Sequence, residues 1–171
     1  MFEFKCNTCD KIHQGVPTFG YEFPIYYLDV PENERSERCF LTSDTCVIDD
    51  KFFFVRGCVE IHVHGEEEPF IWGVWVSLSE KSFFRFQELY EVAERDEEPP
   101  FFGWLNTCFA DYSTEEENLK TNVYLRNNGI RPYIDIEPTN HRLAVEQREG
   151  ISKERLIEIY ELMTHGKRKE L

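Results

Sequence analysis

Residues 70–78 form an apolar run that constrains the fold more than any other stretch of the chain. Successive side chains of a β-strand point to opposite faces of a sheet, and here both faces are apolar. One face carries Trp72, Val74 and Val76, and the other carries Ile71, Gly73 and Trp75. A strand that is apolar on both faces is typical of the centre of a sheet that is covered on both sides.

More strands are predicted on either side of this run. Residues 52–63 are rich in aromatic and β-branched side chains, with Gly57 as a bulge or kink. Residues 119–125 alternate between apolar and polar side chains, and a turn at 127–129 leads into residues 133–136. Residues 119–125 and 133–136 are therefore predicted to form a β-hairpin.

Three segments have helical spacing. The first begins near Ser77 or Ser79, the second covers residues 140–149 and is closed by Gly150, and the third runs from Ser152 to Gly166. Strands that come first, followed by helices mixed with a hairpin, predict an α+β fold. We expect a largely antiparallel sheet with two to three packed helices and an N-terminal CxxC knuckle.

The remaining segments give weaker patterns. Phe23–Tyr27 is interpreted as an edge strand, because Pro24 cannot donate to a ladder. Residues 101–112 read as an aromatic connector with a helical turn at 104–109. The basic tail at 167–169 complements the negative end of the last predicted helix.

The length and composition predict one folded domain. The chain has 171 residues, of which 41% are hydrophobic, and it carries 15 phenylalanines, 8 tyrosines and 3 tryptophans. A chain of this size buries enough apolar surface to fold without a metal or disulfides in its main core. We expect a single domain over residues 1–171, with a metal-binding knuckle in 1–15 and an α+β body in 16–171.

The net charge of −14 restricts the class of partner. Phosphate backbones and anionic membrane surfaces are repelled at long range by such a chain, so neither is an expected partner. A basic protein is attracted instead, although the simpler interpretation is that the acidity only provides solubility. Compact size and acidity together favour a binding protein, and one specific form is an immunity-type protein that neutralises a basic toxin.

The sequence Cys6-Asn7-Thr8-Cys9, followed by His13, carries the clearest chemistry. Two thiols three residues apart can face one point when the backbone between them forms a tight knuckle, and this arrangement supplies half of a tetrahedral Zn²⁺ site. The flanking residues 2–4 and 11–13 have the pattern of two short paired strands. We therefore predict structural zinc at the tip of an N-terminal hairpin, with Cys6, Cys9 and His13 as ligands.

The fourth ligand is not evident from local spacing. Cys39 and Cys46 are the candidates, and Cys46 is preferred because residues 43–45 offer polar support beside it. A redox role for the Cys6–Cys9 pair is the alternative. Redox pairs of this spacing sit at a helix N-terminus after a strand, and no such pattern surrounds this pair.

Other clusters of polar residues have simpler interpretations. His62 and His64 share a strand face with Glu60, but an acidic loop follows them and favours the solvent side. Arg56 lies among aromatic strand residues, and Asp44 or Asp49 is predicted to form an ion pair with it.

A metal-dependent hydrolase is the enzyme class that the sequence leaves open. Asp135 and Glu137 share a strand face, and His141 follows closely. These groups can perform acid–base chemistry only if they converge in a cleft. Alternating acids on a hairpin are more often its solvated face.

The six cysteines and the N-terminal residues indicate a compartment. Residues 1–5 lack the basic and apolar regions of a secretory signal, and no run approaches the 18 or more apolar residues of a membrane span. We expect a cytoplasmic protein with reduced thiols, in which a close cysteine pair indicates metal or redox chemistry.

Several motifs together resemble one bacterial family over nearly the whole chain. They are the knuckle with His13, residues 44–49, 53–57 and 72–79, Gly103-Trp104-Leu105, Arg131-Pro132 and residues 141–147. The chain resembles bacterial domain-of-unknown-function family 2199. It departs from that family at Ile61-His62-Val63, where proline is expected, and this weakens a histidine-pair site. The resemblance implies a bacterial, cytoplasmic protein, and it carries no known activity and no catalytic residue.

Overall fold

A computed structural model of the protein describes residues 2–112 and 119–166. Within these ranges the chain forms ten strands and five α-helices. The strands are β1 (Glu3–Lys5), β2 (Ile12–Gln14), β3 (Thr18–Gly20), β4 (Cys39–Leu41), β5 (Thr45–Ile48), β6 (Phe52–Ile61), β7 (Phe70–Leu78), β8 (Phe101–Leu105), β9 (Lys120–Tyr124) and β10 (Tyr133–Ile136). The helices are α1 (Ile25–Asp29), α2 (Arg35–Arg38), α3 (Glu80–Glu88), α4 (Arg142–Glu149) and α5 (Lys153–His165), with a 3₁₀ turn at Glu32–Glu34. The predicted α+β class is confirmed.

The main sheet closes on itself, which the prediction of a largely antiparallel sheet did not include. Strands β7, β8, β9, β10 and β6 are neighbours in that order, and β6 also pairs with β7, so these five strands form a barrel. Strands β5 and β4 extend the sheet beyond β6, and β3 joins the edge of β7. The remaining strands, β1 and β2, form a separate hairpin.

Two pairings of the main sheet are parallel, and the others described are antiparallel, as expected of a largely antiparallel sheet. Strand β3 runs parallel to β7, and β10 meets β6 in parallel at Tyr133 and Cys58. The second pairing closes the barrel, and Gly57 permits it. A β-carbon at Gly57 would lie 2.5 Å from Ile134 Cδ1 and 2.9 Å from the carbonyl oxygen of Pro132, so only glycine allows β10 to approach this closely.

The long hairpin of β6 and β7 is the centre of the fold. Its register runs from Phe53 opposite Leu78 to Ile61 opposite Phe70. Trp72 and Trp75 point to opposite faces of β7, and both are fully buried. Trp72 belongs to the main core, whereas Trp75 packs in a second cluster with Phe54. The prediction that this strand is covered on both sides is confirmed.

The three long helices begin close to their predicted starts, and α4 and α5 also end as predicted, whereas α3 ends at Glu88, before the predicted stop at residues 96–100. Ser79 caps α3 by accepting a hydrogen bond from the backbone N–H of Ser82, so the cap is the second of the two predicted serines. Gly150 ends α4 with a φ of 80°, and Gly166 ends α5 with a φ of 65°. The predicted basic tail at 167–169 lies outside the described residues. No helix in the described part of the chain is both long and apolar enough to cross a bilayer.

Two predictions of local structure were wrong. The segment taken as an edge strand at Phe23–Tyr27 contributes instead to α1, with Pro24 at the N-cap, where its missing N–H costs nothing. The predicted connector after residue 100 contains strand β8, which pairs with β7 and β9. Its side chains alternate, so that Phe102 and Trp104 are exposed while Phe101 and Leu105 are buried.

Helices α4 and α5 are joined by buried charges. The Nε of Arg155 donates to Glu146 Oε1 at 2.7 Å, and its Nη2 pairs with Asp111. These three side chains are only 10%, 9% and 4% exposed, respectively. The hydroxyl of Tyr112 donates to the other oxygen of Glu146, and Trp72 donates to that hydroxyl at 3.3 Å. The network connects both helices to the barrel core.

Candidate metal centre

The N-terminal hairpin has the predicted form. Strands β1 and β2 pair antiparallel, with Phe4 opposite His13. The loop between them is closed by a hydrogen bond from Cys6 N to the carbonyl oxygen of Lys11 at 2.9 Å. A second bond runs from Asp10 N to the oxygen of Cys6 at 3.1 Å, and Asp10 has a φ of 58°. The bond from Asp10 N to the oxygen of Cys6 closes the turn that carries Cys9 back towards Cys6, and the left-handed Asp10 then reverses the chain towards β2.

The knuckle brings three of the predicted ligands together. Within the two described ranges, the group of three or more potential ligand residues that the structure gathers is Cys6, Cys9 and His13, whose ligand atoms all lie within 4.8 Å of one another. Cys9 Sγ lies 3.4 Å from His13 Nε2. The backbone N–H of Thr8 donates to Cys6 Sγ at 3.4 Å. Cys6 is fully buried, and the other two are half-buried.

These donors fit a tetrahedral zinc ion. Two sulfurs and an imidazole nitrogen are the ligands that structural zinc prefers, and bonds of about 2.3 Å and 2.0 Å place neighbouring S and N ligands about 3.6 Å apart. The Cys9–His13 distance of 3.4 Å is within a few tenths of an ångström of that edge. Zinc would supply a charged cross-link here, and the three side chains would hold it.

Helix α5 orients one of the ligands. The hydroxyl of Tyr160 lies 3.0 Å from His13 Nδ1, and the two rings are 4.7 Å apart. A protonated Nδ1 that donates to this hydroxyl leaves Nε2 free to bind a metal on the side of Cys9. Metal-binding histidines usually have such an outer partner, which fixes the tautomer and the ring orientation.

The predicted fourth ligand, Cys46, is not brought to this group. It lies on β5, is fully buried and packs with Ile48, Phe54 and Trp75 in the second cluster. Burial, with a smaller contribution from nearby Cys39, raises the pKa of the Cys46 thiol to about 12. A thiol in this environment stays protonated and is a poor metal ligand.

The residues that suggested polar support for Cys46 have other roles. Thr42 and Thr45 exchange hydrogen bonds that close the turn between β4 and β5. The carboxylate of Asp44 pairs with Arg131 Nε at 2.8 Å. This polar segment therefore stabilises a turn and contributes no ligand.

The histidine pair lies on the solvent side, as predicted. His62 and His64 are both exposed, and their rings are 5.8 Å apart. The Nε2 of His64 is 2.9 Å from the carbonyl oxygen of Glu149, while Glu60 pairs with Arg126. The polar atoms of His64 and Glu60 thus have structural partners.

The hydrolase candidates do not form a metal site in the described structure. Asp135 and Glu137 lie near the end of β10, and burial, followed by the charge of Glu137, raises the pKa of Asp135. His141 is the N-cap of α4, where its Nδ1 accepts a hydrogen bond from Leu143 N at 3.2 Å. The role of His141 here is therefore to start a helix.

The predicted ion pair of Arg56 was wrong. Asp44 pairs with Arg131, and Asp49 pairs with Arg38 at 2.7 Å. Arg56 is half-buried, and burial, followed by the charge of Arg131, lowers its pKa.

A shallow cavity of about 320 Å³ opens elsewhere on the surface. Three exposed aromatic residues line it, namely Tyr26, Phe52 and Trp104, together with Lys51 and Asn106. Its lining contains no carboxylate, histidine or cysteine. The cavity therefore offers a mainly aromatic contact surface.

An α+β barrel with a cysteine–histidine hairpin at its N-terminus is the class of protein that these elements define. The family model for uncharacterised proteins conserved in bacteria, domain-of-unknown-function family 2199, matches residues 5–151. The chain belongs to this family, which confirms the resemblance seen in its motifs. Searches of curated proteins and of solved structures found no match.

Sequence reasoning missed the contribution of α5 to this site. Tyr160, Glu161 and His165 all contact the knuckle or its ligands. Glu161 and His165 are four residues apart and therefore share a helix face. In the sequence the acidic Glu161 stands beside the apolar stripe of the last helix, but only the structure shows that it is buried.

Proposed function

We propose that this chain is a binding protein whose N-terminal hairpin is fixed by structural zinc. The observation that carries the proposal is the convergence of Cys6, Cys9 and His13 within 4.8 Å. The loop that carries the two cysteines has a short hydrogen-bonded backbone, and its thiols do not sit at a helix N-terminus. These features favour metal over redox chemistry.

A structural role for the metal is supported by what surrounds it. Phe2, Phe4 and Cys6 are buried in the main core, so the hairpin packs against the rest of the protein. Metal bound there would stabilise that contact. Structural zinc sites in small hairpins supply about 10–16 kcal/mol of apparent binding free energy in peptides, and this energy acts as folding energy.

The partner that the charge favours is a basic protein. A net charge of −14 attracts cationic surfaces at long range and increases their association rate at low ionic strength. A protein that neutralises a basic toxin is one case of such a partner.

The binding role is tested by capture from the native host on the immobilised protein. An unrelated acidic protein of equal net charge serves as the control. We expect a basic protein that the control does not retain, and whose retention falls as salt is raised. This part of the proposal is contradicted if no basic protein is captured. It is also contradicted if the retention of the captured protein does not change with salt concentration.

The zinc half of the proposal has a separate test. Protein purified without chelator should contain one zinc per chain, with Cys6 and Cys9 protected from alkylation while the exposed Cys108 reacts. Protein without stoichiometric zinc, in which the half-buried Cys9 is alkylated, removes the claim.

A further inference from the structure

We infer that His165, at the end of α5, is the fourth zinc ligand. Its Nε2 lies 3.3 Å from Cys6 Sγ, across 159 positions of sequence. This inference rests on the zinc site proposed above, and it assigns the ligand that local spacing did not supply. The donor set becomes two cysteines and two histidines.

The distance fits a shared metal ion. Sulfur and nitrogen ligands of one tetrahedral zinc lie about 3.6 Å apart. His165 Nε2 and Cys6 Sγ are 3.3 Å apart, and His13 Nε2 and Cys9 Sγ are 3.4 Å apart. Each of these two pairs therefore lies at the spacing of one tetrahedral edge, and His165 adds a second histidine beside the group of Cys6, Cys9 and His13.

Glu161 is the competing fourth ligand, and its contacts argue against it. Its Oε1 lies 3.9 Å from Cys6 Sγ but accepts a hydrogen bond from the backbone N–H of Asn7 at 2.7 Å. That carboxylate holds the knuckle backbone. Because Glu161 and His165 are one turn apart on the same face, the bond to Asn7 also directs His165 towards Cys6.

Three side chains of α5 thus meet the hairpin at one place. Tyr160 contacts the imidazole of His13, Glu161 contacts the backbone at Asn7, and His165 contacts the sulfur of Cys6. A chance packing contact would involve only one of these three side chains. Together they hold the C-terminal part of α5 against the knuckle, beside Cys6.

The fourth ligand decides what the metal can do. Four protein ligands close a zinc site, whereas catalytic zinc keeps one position for water or substrate. With His165 bound, the metal is a cross-link between the first hairpin and the last helix. A cross-link that closes the long loop between the hairpin and α5 removes a large amount of conformational entropy from the unfolded chain.

Cobalt substitution of the whole protein tests the assignment. Wild-type protein should bind one Co²⁺ with the absorption of a tetrahedral site that has two thiolates. The variant His165→Ala should bind at least about 100-fold more weakly, which is the upper end of the loss seen for outer-sphere partners. Added imidazole should restore the wild-type spectrum, because it refills the position on the metal. His62→Ala, which removes an exposed histidine far along the sequence, should change neither affinity nor spectrum.

A measurement on unaltered protein covers the case in which the alanine variant does not fold. In protein with ¹⁵N-labelled histidine, zinc should shift the Nε2 resonances of His13 and His165 and leave His62 in place. If His165→Ala binds cobalt with unchanged affinity and spectrum, or if the His165 resonance does not move, the fourth-ligand assignment is wrong while the zinc centre stands. If wild-type protein binds no cobalt or zinc, the proposed centre itself fails.

Discussion

Replacing Arg155 with methionine is expected to reduce the free energy of unfolding by about 3–5 kcal/mol, because the change removes the buried guanidinium that Asp111 and Glu146 share. Burial alone would lower the pKa of Arg155, but its hydrogen bonds to Asp111 and Glu146 outweigh this effect and raise it. The guanidinium is thus charged and shared between the two acids. Methionine fills much of the same volume and removes only the charge and the hydrogen bonds. Denaturant unfolding followed by tryptophan fluorescence measures the loss.

Arg142 provides a matched control for this prediction. Its Nε pairs with the same oxygen of Glu146 at 2.9 Å, but its side chain is 52% exposed. Solvent-exposed ion pairs contribute about 0–1 kcal/mol, so Arg142→Met should change the free energy of unfolding by no more than that. Equal losses for the two variants would show that burial of the network does not determine its contribution.

Removing zinc with a strong chelator is expected to reduce the free energy of unfolding by about 4 kcal/mol, compared with protein at a free zinc concentration about 1,000-fold above its dissociation constant. For a chain of this length the loss corresponds to a fall of about 8–16 °C in the melting temperature. The cause is that only the folded hairpin gathers Cys6, Cys9 and His13 at one point. Differential scanning calorimetry with and without chelator measures the effect.

Two cysteine variants sharpen this second prediction. Cys9→Ser should abolish the dependence of the melting temperature on zinc, because it removes one of the two sulfur ligands. Cys108→Ser should retain it, because Cys108 is exposed and lies outside the cluster. A wild-type melting temperature that does not respond to the chelator contradicts the expected contribution of the metal.

Much of the fold follows from local pattern, whereas its closure does not. Apolar side chains on both faces of β7, the alternation in β9 and the caps at Ser152 and Gly150 depend on nearby residues. The barrel closes through one parallel contact between Tyr133 and Cys58. That contact depends on the absence of a side chain at Gly57, which local spacing interprets equally well as a bulge. Closure of the barrel depends on two strands that are distant in sequence, so the local pattern of either strand does not predict it.

The candidate site divides in the same way. The knuckle ligands are close in sequence, so spacing predicted Cys6, Cys9 and His13. His165 is 159 positions from Cys6, and only the packing of α5 on the hairpin brings them together. The choice of Cys46 used polar neighbours as the signal, and Thr45 beside it serves the turn at β5 instead. Polar residues near a cysteine indicate a ligand only when their own hydrogen bonds are unmet.

X-ray absorption at the zinc edge, on protein purified without chelator, tests the central claim most directly. We predict one zinc per chain, bound by two sulfurs at about 2.3 Å and two nitrogens at about 2.0 Å from the metal. A zinc shell without sulfur, or protein that carries no zinc, would contradict it.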